Sequence, residues 1–183
     1  MMLFLGLPVL RALSYLCVLI LGFSSTVCVH KRDFLQSRPD INFCSTMDAR
    51  LKNISKLLPV GLQSHKNFKR IRCLSFVPKY FIAAAGGEVM AVTRFYPNGE
   101  IRVFVAKELT HNPRELQNFM LHEYLHVIGY GHPTKNCLWT TPGCGLMGQS
   151  PGDGFGLSAA EQKTLLKQSF SKKYLESLPR MSH

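Results

Sequence analysis

Residues 122–132 read HEYLHVIGYGH, and the rest of the predicted fold is built outward from this stretch. His122 and His126 are four residues apart, so one helical turn places both imidazoles on the same face. Two nitrogen ligands at that spacing suit a tetrahedral zinc ion. Glu123 adjoins the first histidine, and we expect it to be the catalytic residue, a general base that takes a proton from water.

Gly129 accounts for the third candidate ligand, His132. A helix that continued past residue 129 would carry His132 away from the metal. Glycine tolerates the positive φ that turns the backbone sharply, so the chain can return His132 to the zinc. Three histidines leave a fourth position open for water or substrate, which is typical of one catalytic zinc ion rather than a structural one.

The residues before the pattern predict the helix that carries it. Asn112 is a good N-cap, Pro113 suits the first turn, and Glu115 completes a capping box, while Gly129 should end the helix. Farther out we expect a helix capped by Ser45, strands within residues 68–77, 88–96 and 100–106, a hairpin turn at Pro97-Asn98-Gly99, and a final helix over residues 158–170. The predicted fold class is α+β, a compact domain with a twisted mixed sheet, an active-site helix and a C-terminal helix.

The chain begins with a segment typical of export. Among the first 29 residues only Arg11 is charged, and the apolar run of residues 15–23 precedes small polar residues. This pattern predicts a signal peptide at residues 1–28 and a short leader at 29–43, before a domain at 44–172 and a basic tail at 173–183. We therefore expect a secreted, extracellular protein. An uncleaved signal that anchors the chain at a membrane is the alternative.

The cysteines agree with an exported chain. Beyond the signal region the sequence contains an even set, Cys44, Cys73, Cys137 and Cys144. Disulfides are expected in that compartment, and four cysteines allow three pairings. Cys137 and Cys144 are close enough in sequence to close a short loop, which would leave Cys44 and Cys73 as the second pair.

Size and charge limit the remaining choices. The chain has 183 residues, enough for one domain, and 46% of them are hydrophobic, which argues against general disorder. The formal net charge is +11. That excess favours an anionic polysaccharide or a membrane surface as a partner, but the charges are spread out, and we expect no specific nucleic acid and a monomer. A basic binding module without peptidase activity is the rival class of function, although neither Glu123 nor a histidine of the set is missing.

The pattern HExxHxxGxxH, followed by GLMG at residues 145–148, resembles the metzincin zinc metalloproteases. The resemblance implies a metalloendopeptidase, a hydrolase of protein or peptide substrates, with His122, His126 and His132 on zinc. It also implies that Met147 lies in the Met-turn beneath the metal. Over residues 86–170 the layout is nearest to that of matrixins, with a final helix that opens with Leu157-Ser158.

The sequence departs from the known subfamilies at several points. Pro133 follows the third histidine, where matrixins have Ser, astacins Glu and adamalysins Asp. The interval from His132 to Met147 is longer than in matrixins and contains the Cys137 and Cys144 pair. The matrixin cysteine-switch motif PRCGxPD is absent from the sequence. We therefore assign no subfamily.

The resemblance further implies where a substrate lies. In such enzymes an extended peptide pairs with an edge strand above the cleft, and we expect that strand within residues 100–106. The pocket beside the zinc should be walled by the helix at residues 121–125 and by residues 148–155.

Overall fold

The computed structural model describes residues 46–83, 90–133, 137–149 and 156–181. The predicted signal peptide (1–28), the leader (29–43), Cys44 and Ser45 lie outside the described residues. The helices and strands, in chain order, are α1 (Ala49–Ile54), α2 (Val60–Gln63), β1 (Ile71–Val77), α3 (Lys79–Ala83), β2 (Ala91–Phe95), β3 (Ile101–Ala106), α4 (Pro113–Ile128), α5 (Ala159–Ser169) and α6 (Lys172–Ser177). None of the helices in these ranges is long and apolar enough to cross a membrane.

The three strands form one mixed sheet in the order β1-β3-β2. β3 runs parallel to β1 and antiparallel to β2. The predicted hairpin turn joins β2 to β3, and Gly99 in this turn has a φ of +83°, which glycine adopts without strain. The predicted α+β class, with a mixed sheet and a C-terminal helix, is confirmed.

The strand expected to border the cleft, within residues 100–106, is not at an edge. β3 occupies that range and is hydrogen-bonded on both sides, to β1 and to β2. A strand whose N–H and C=O groups are all paired cannot receive an added peptide strand. The expectation is therefore wrong, and the edge on this side of the sheet is β2, which pairs with β3 alone among the described residues.

Helix α4 forms the centre of the core. Every residue from Asn118 to Ile128 is buried. The helix packs against β2 and β3, and α1 packs against it from another side. The Tyr124 hydroxyl donates a hydrogen bond to the Leu51 carbonyl at 2.7 Å, which ties α1 to α4. The histidine pattern therefore lies on the most enclosed helix of the domain, so its side chains are held by packing on several sides.

Two sequence-based expectations about helix ends need correction. The cap of α1 is Asp48 and not Ser45, because the Asp48 carboxylate accepts from the N–H groups of Arg50 and Leu51. A negatively charged carboxylate at this end is also stabilised by the positive end of the helix dipole. At the other end, part of the segment expected as a basic tail forms α6, whose Tyr174 is buried.

The core predicts a sharp contrast between two leucines of the same segment. Leu51 is fully buried and Leu57 is 52% exposed. Leu51→Ala should lower the free energy of unfolding by about 2–5 kcal/mol, because it removes buried apolar surface and leaves a cavity. Leu57→Ala is the matched control and should change it by about 0.5 kcal/mol or less. Urea denaturation followed by circular dichroism measures both, and equal losses would contradict the packing described.

Candidate metal centre

Helix α4 and the turn after it place the three histidines. The Asn112 side chain caps the helix by accepting from the Glu115 N–H at 3.2 Å, as the sequence predicts. At the other end Gly129 adopts a φ of +103°, and its N–H bonds to the His126 carbonyl at 2.8 Å. A left-handed residue of this kind ends a helix and reverses the chain. The reversal is what brings His132 back beside the helix.

His122, His126 and His132 form one cluster. Their ring centroids are separated by 4.7 Å (His122 to His126), 5.0 Å (His122 to His132) and 4.7 Å (His126 to His132). One ring nitrogen from each residue lies within 4.8 Å of the other two. His122 and His126 are buried, whereas His132 is exposed, so the cluster opens to solvent on the His132 side.

Each Nδ1 atom of the cluster is paired with a backbone carbonyl oxygen. The pairs are His122 with Leu146, His126 with Tyr130 at 2.9 Å, and His132 with Met147 at 3.0 Å. A carbonyl oxygen can only accept, so Nδ1 carries the proton in all three rings. In a neutral imidazole protonated at Nδ1, the other nitrogen, Nε2, carries the lone pair. The cluster therefore offers three electron-pair donors, which is the donor set that a bound cation requires.

The surroundings of His122 keep a proton away from its ring. The pKa of His122 lies well below its ordinary value, chiefly because burial penalises the charged ring. Repulsion from His126 and His132 lowers it further, and the bond to the Leu146 carbonyl opposes the shift in part. His122 is therefore neutral at physiological pH, and its lone pair is free for a metal.

Glu123 follows His122 in α4 and is buried, with 4% of its surface exposed. The Thr93 hydroxyl on β2 donates to its Oε2 atom at 2.6 Å. Burial raises the pKa of Glu123 to about 7, and the bond from Thr93 opposes that shift. A carboxyl group with a pKa near 7 can both accept and return a proton at physiological pH, as a general base and acid must.

The turn at residues 145–148, here called the methionine turn, supplies two of the three carbonyls. It is closed by a hydrogen bond from the Gly148 N–H to the Gly145 carbonyl at 3.1 Å. Gly145 has a φ of +52°, and a Cβ on Gly148 would lie 2.7 Å from the Cys137 carbonyl oxygen. Both positions therefore require glycine. Met147 is fully buried, and its place beneath a metal stays a prediction.

Trp139 and a disulfide support this turn from one side. The Trp139 indole N–H donates to the carbonyls of Leu146 at 2.9 Å and Gly148 at 3.0 Å. Cys137 and Cys144, which precede and follow Trp139 in the sequence, are joined by a disulfide. Through these two hydrogen bonds, the loop that lengthens the interval between His132 and Met147 stabilises the methionine turn.

The sequence identified the histidines but missed two residues that hold the site. Thr93 and Trp139 have ordinary sequence contexts, and only their places in the fold reveal their partners. Of the other predicted cysteines, Cys73 is disulfide-bonded, while Cys44 falls outside the described residues. The wall expected at residues 148–155 is described only at Gly148 and Gln149.

No protein-family model, curated protein or solved structure matches this chain. Its function must therefore be argued from the chemistry of the cluster, the buried glutamate and the sequence pattern that joins them.

The raised pKa of Glu123 predicts a pH-dependent stability. The folded pKa of about 7 exceeds the ordinary value of 4.5, so the folded state binds more protons between these values. The free energy of unfolding of the metal-free protein should therefore fall as pH rises from about 4.5 to about 7, with a Glu123 contribution of about 3 kcal/mol.

Other groups titrate in the same range, so the measurement is a difference between two proteins. Urea unfolding of the wild type and of Glu123→Gln, at several pH values, isolates the contribution of this carboxyl group. The wild type should lose stability relative to the variant as the pH rises. Parallel curves would show that Glu123 is not buried as described.

Proposed function

We propose that this chain is a secreted zinc-dependent endopeptidase of the metzincin kind. The observation that carries the proposal is the cluster of three histidine nitrogens within 4.8 Å of one another, with a buried glutamate directly after the first histidine in α4. A structural zinc site is closed by four protein ligands, whereas three histidines leave one position for water or substrate. The exposed edge of the cluster, at His132, gives that position access to solvent.

The residues fit a zinc ion in kind and in spacing. Imidazole nitrogens are common zinc ligands, and a tetrahedral ion with Zn–N bonds of about 2.0–2.1 Å needs its ligand nitrogens about 3.4 Å apart. The nitrogens here lie within 4.8 Å of one another, so binding would draw the rings slightly inward. The Nδ1 bonds fix the tautomer and the direction of each ring beforehand, which raises the basicity of the ligand nitrogens.

Glu123 is proposed as the group that moves the proton. Bound zinc would lower the pKa of water towards neutrality and polarise the scissile carbonyl. Glu123 follows His122 directly, and Thr93 holds one of its oxygens. The carboxylate would take a proton from the attacking water and return it to the leaving amine, and its pKa of about 7 suits both steps.

A peptide substrate would lie along β2, on the side away from β3. Helix α4 packs against this strand, and Thr93 links the strand to Glu123. A peptide that added to β2 would therefore run past the proposed base with its backbone fixed by strand-to-strand hydrogen bonds. Such recognition depends on the backbone of the substrate, which suits an endopeptidase.

The disulfides support the proposed compartment. The Cys137–Cys144 bridge and the disulfide-bonded Cys73 are expected in an oxidising environment. The predicted signal peptide points the same way.

The proposal predicts a selective loss of activity in Glu123→Gln. This variant keeps the size of the side chain but cannot accept the proton, so cleavage of a peptide library should fall about 100-fold or more. Zinc content should remain that of the wild type. Glu115→Gln is the matched control, because Glu115 is also buried on α4 but lies two turns away, and it should keep full activity.

Three results would count against this function. Cleavage that survives Glu123→Gln would remove the proposed base. Cleavage that persists after zinc is chelated would remove the metal. Tight retention on heparin, without cleavage of any peptide in the library, would favour a basic binding module instead.

A further inference from the structure

Two of the three carbonyls that accept from the histidines, those of Leu146 and Met147, belong to the glycine-rich methionine turn. The backbone N–H groups of the same two residues are bonded to side chains near the C-terminus. The N–H of Leu146 donates to the Ser169 hydroxyl at 2.9 Å. The N–H of Met147 donates to the Tyr174 hydroxyl at 3.2 Å. The same two residues present their carbonyls to His122 and His132. Each of these two residues is thus bonded at its N–H to a C-terminal side chain and at its carbonyl to a histidine.

Ser169 can accept this bond in one orientation only. It is fully buried at the end of α5, and its hydroxyl donates to the Leu165 carbonyl at 2.6 Å. Because the single proton is used there, a lone pair is directed to the Leu146 N–H. Gln168 also stabilises the backbone next to this turn. With the amide oxygen oriented towards the nearby N–H groups, it accepts from those of Gly143, Cys144 and Gly145 at 2.8–3.0 Å.

The Tyr174 side chain is in close contact with the methionine turn. Its hydroxyl donates to the Cys144 carbonyl while it accepts from the Met147 N–H. A Cβ on Gly145 would lie 2.6 Å from Cζ of the Tyr174 ring. The turn and the ring therefore fit with no space for a side chain between them, and the hydroxyl bridges two peptides of the turn.

The carbonyl that accepts from His126 is held in place by the segment after α6. The Gly131 N–H donates to the Pro179 carbonyl at 2.7 Å, and the Met181 N–H donates to the Gly129 carbonyl at 2.9 Å. Between them the Arg180 guanidinium lies 3.9 Å from the centre of the Tyr130 ring. These contacts hold Tyr130, whose carbonyl accepts from His126 Nδ1 at 2.9 Å.

We propose that the segment from Ser169 to Met181 positions the histidine cluster for metal binding, with Ser169 and Tyr174 as positioning residues that act through the backbone of Leu146 and Met147. The proposal rests on the proposed metal site and adds the C-terminal segment to it. The peptide groups that carry the Leu146 and Tyr130 carbonyls each donate their N–H to this stretch, to the Tyr174 hydroxyl and to the Pro179 carbonyl. A segment that only stabilised the domain would not have to bond to the peptide groups that face His122 and His126.

The experiment compares three variants of the full chain, Tyr174→Phe, Ser169→Ala and the control Tyr124→Phe. The control makes the same substitution at a buried tyrosine whose hydroxyl bonds to the Leu51 carbonyl, away from the turn. Co²⁺ titration gives the affinity, and the visible spectrum of the bound ion reports its coordination geometry. Nitrogen-15 spectra of the metal-free imidazoles report which ring nitrogen carries the proton.

Tyr174→Phe and Ser169→Ala should each bind Co²⁺ about tenfold more weakly than the wild type, the lower end of the range for residues that orient metal ligands. Their bound spectra should also change. In the metal-free proteins, His122 should lose its uniform Nδ1–H form in both variants, because both substitutions release the backbone around the Leu146 carbonyl. Tyr124→Phe should keep the wild-type affinity and imidazole spectra, even if urea unfolds it earlier.

Unchanged affinity, cobalt spectrum and imidazole signals in folded Tyr174→Phe and Ser169→Ala would overturn the positioning role while leaving the metal site intact. An equal loss of affinity in Tyr124→Phe would also overturn it, because general destabilisation would then explain the effect. If the wild type itself binds no Co²⁺, the proposed function fails and the positioning role fails with it.

Discussion

Three hydrogen bonds, from histidine Nδ1 atoms to backbone carbonyls, determine what this cluster can bind. Each bond places the proton on the outer nitrogen and leaves the inner one with its lone pair. One ring nitrogen from each histidine lies within 4.8 Å of the other two, and His122 resists taking a proton because it is buried. Three such nitrogens could hold one cation between them. The positions of the three carbonyls, those of Leu146, Tyr130 and Met147, in turn depend on how the surrounding loops are folded.

Those carbonyls come from loops, which are normally the least rigid parts of a domain. Here the loops are constrained by positions that only glycine can occupy. Gly129 reverses the chain, while Gly145 and Gly148 let the methionine turn approach its neighbours closely. Burial of Glu123 has a cost of its own, since it disfavours the charged form, and Thr93 offsets part of that cost. The site therefore combines a rigid donor set with a proton acceptor whose pKa suits neutral solution.

Local signals in the sequence were enough for the central helix and the histidines. Asn112 and Gly129 mark its two ends by their own backbone chemistry, and the hairpin before it is marked by Asn98-Gly99 in the same way. The expectation of an edge strand within residues 100–106 is wrong, because nothing local distinguishes a central strand from an edge strand. β3 was expected at the edge, and only its pairing with β1, about 30 residues earlier in the chain, places it in the centre.

The supporting residues were missed for a related reason. Thr93 reaches Glu123, and Tyr174 reaches the methionine turn, over about 30 residues of sequence in each case. A threonine on a strand or a tyrosine on a terminal helix carries no mark of such a partner. The same holds for the segment expected as a basic tail, whose Lys173 and Arg180 suggest exposure although Tyr174 and Leu178 are buried within it.

The central claim is that His122, His126 and His132 hold one zinc ion and leave one position open. Zinc-edge X-ray absorption spectroscopy on the purified wild-type chain tests this most directly, together with the zinc content per chain. The account predicts one zinc ion with three imidazole nitrogens at about 2.0–2.1 Å and one further oxygen ligand. Sulfur in the first coordination sphere, four imidazoles, or a chain that retains no zinc would contradict it.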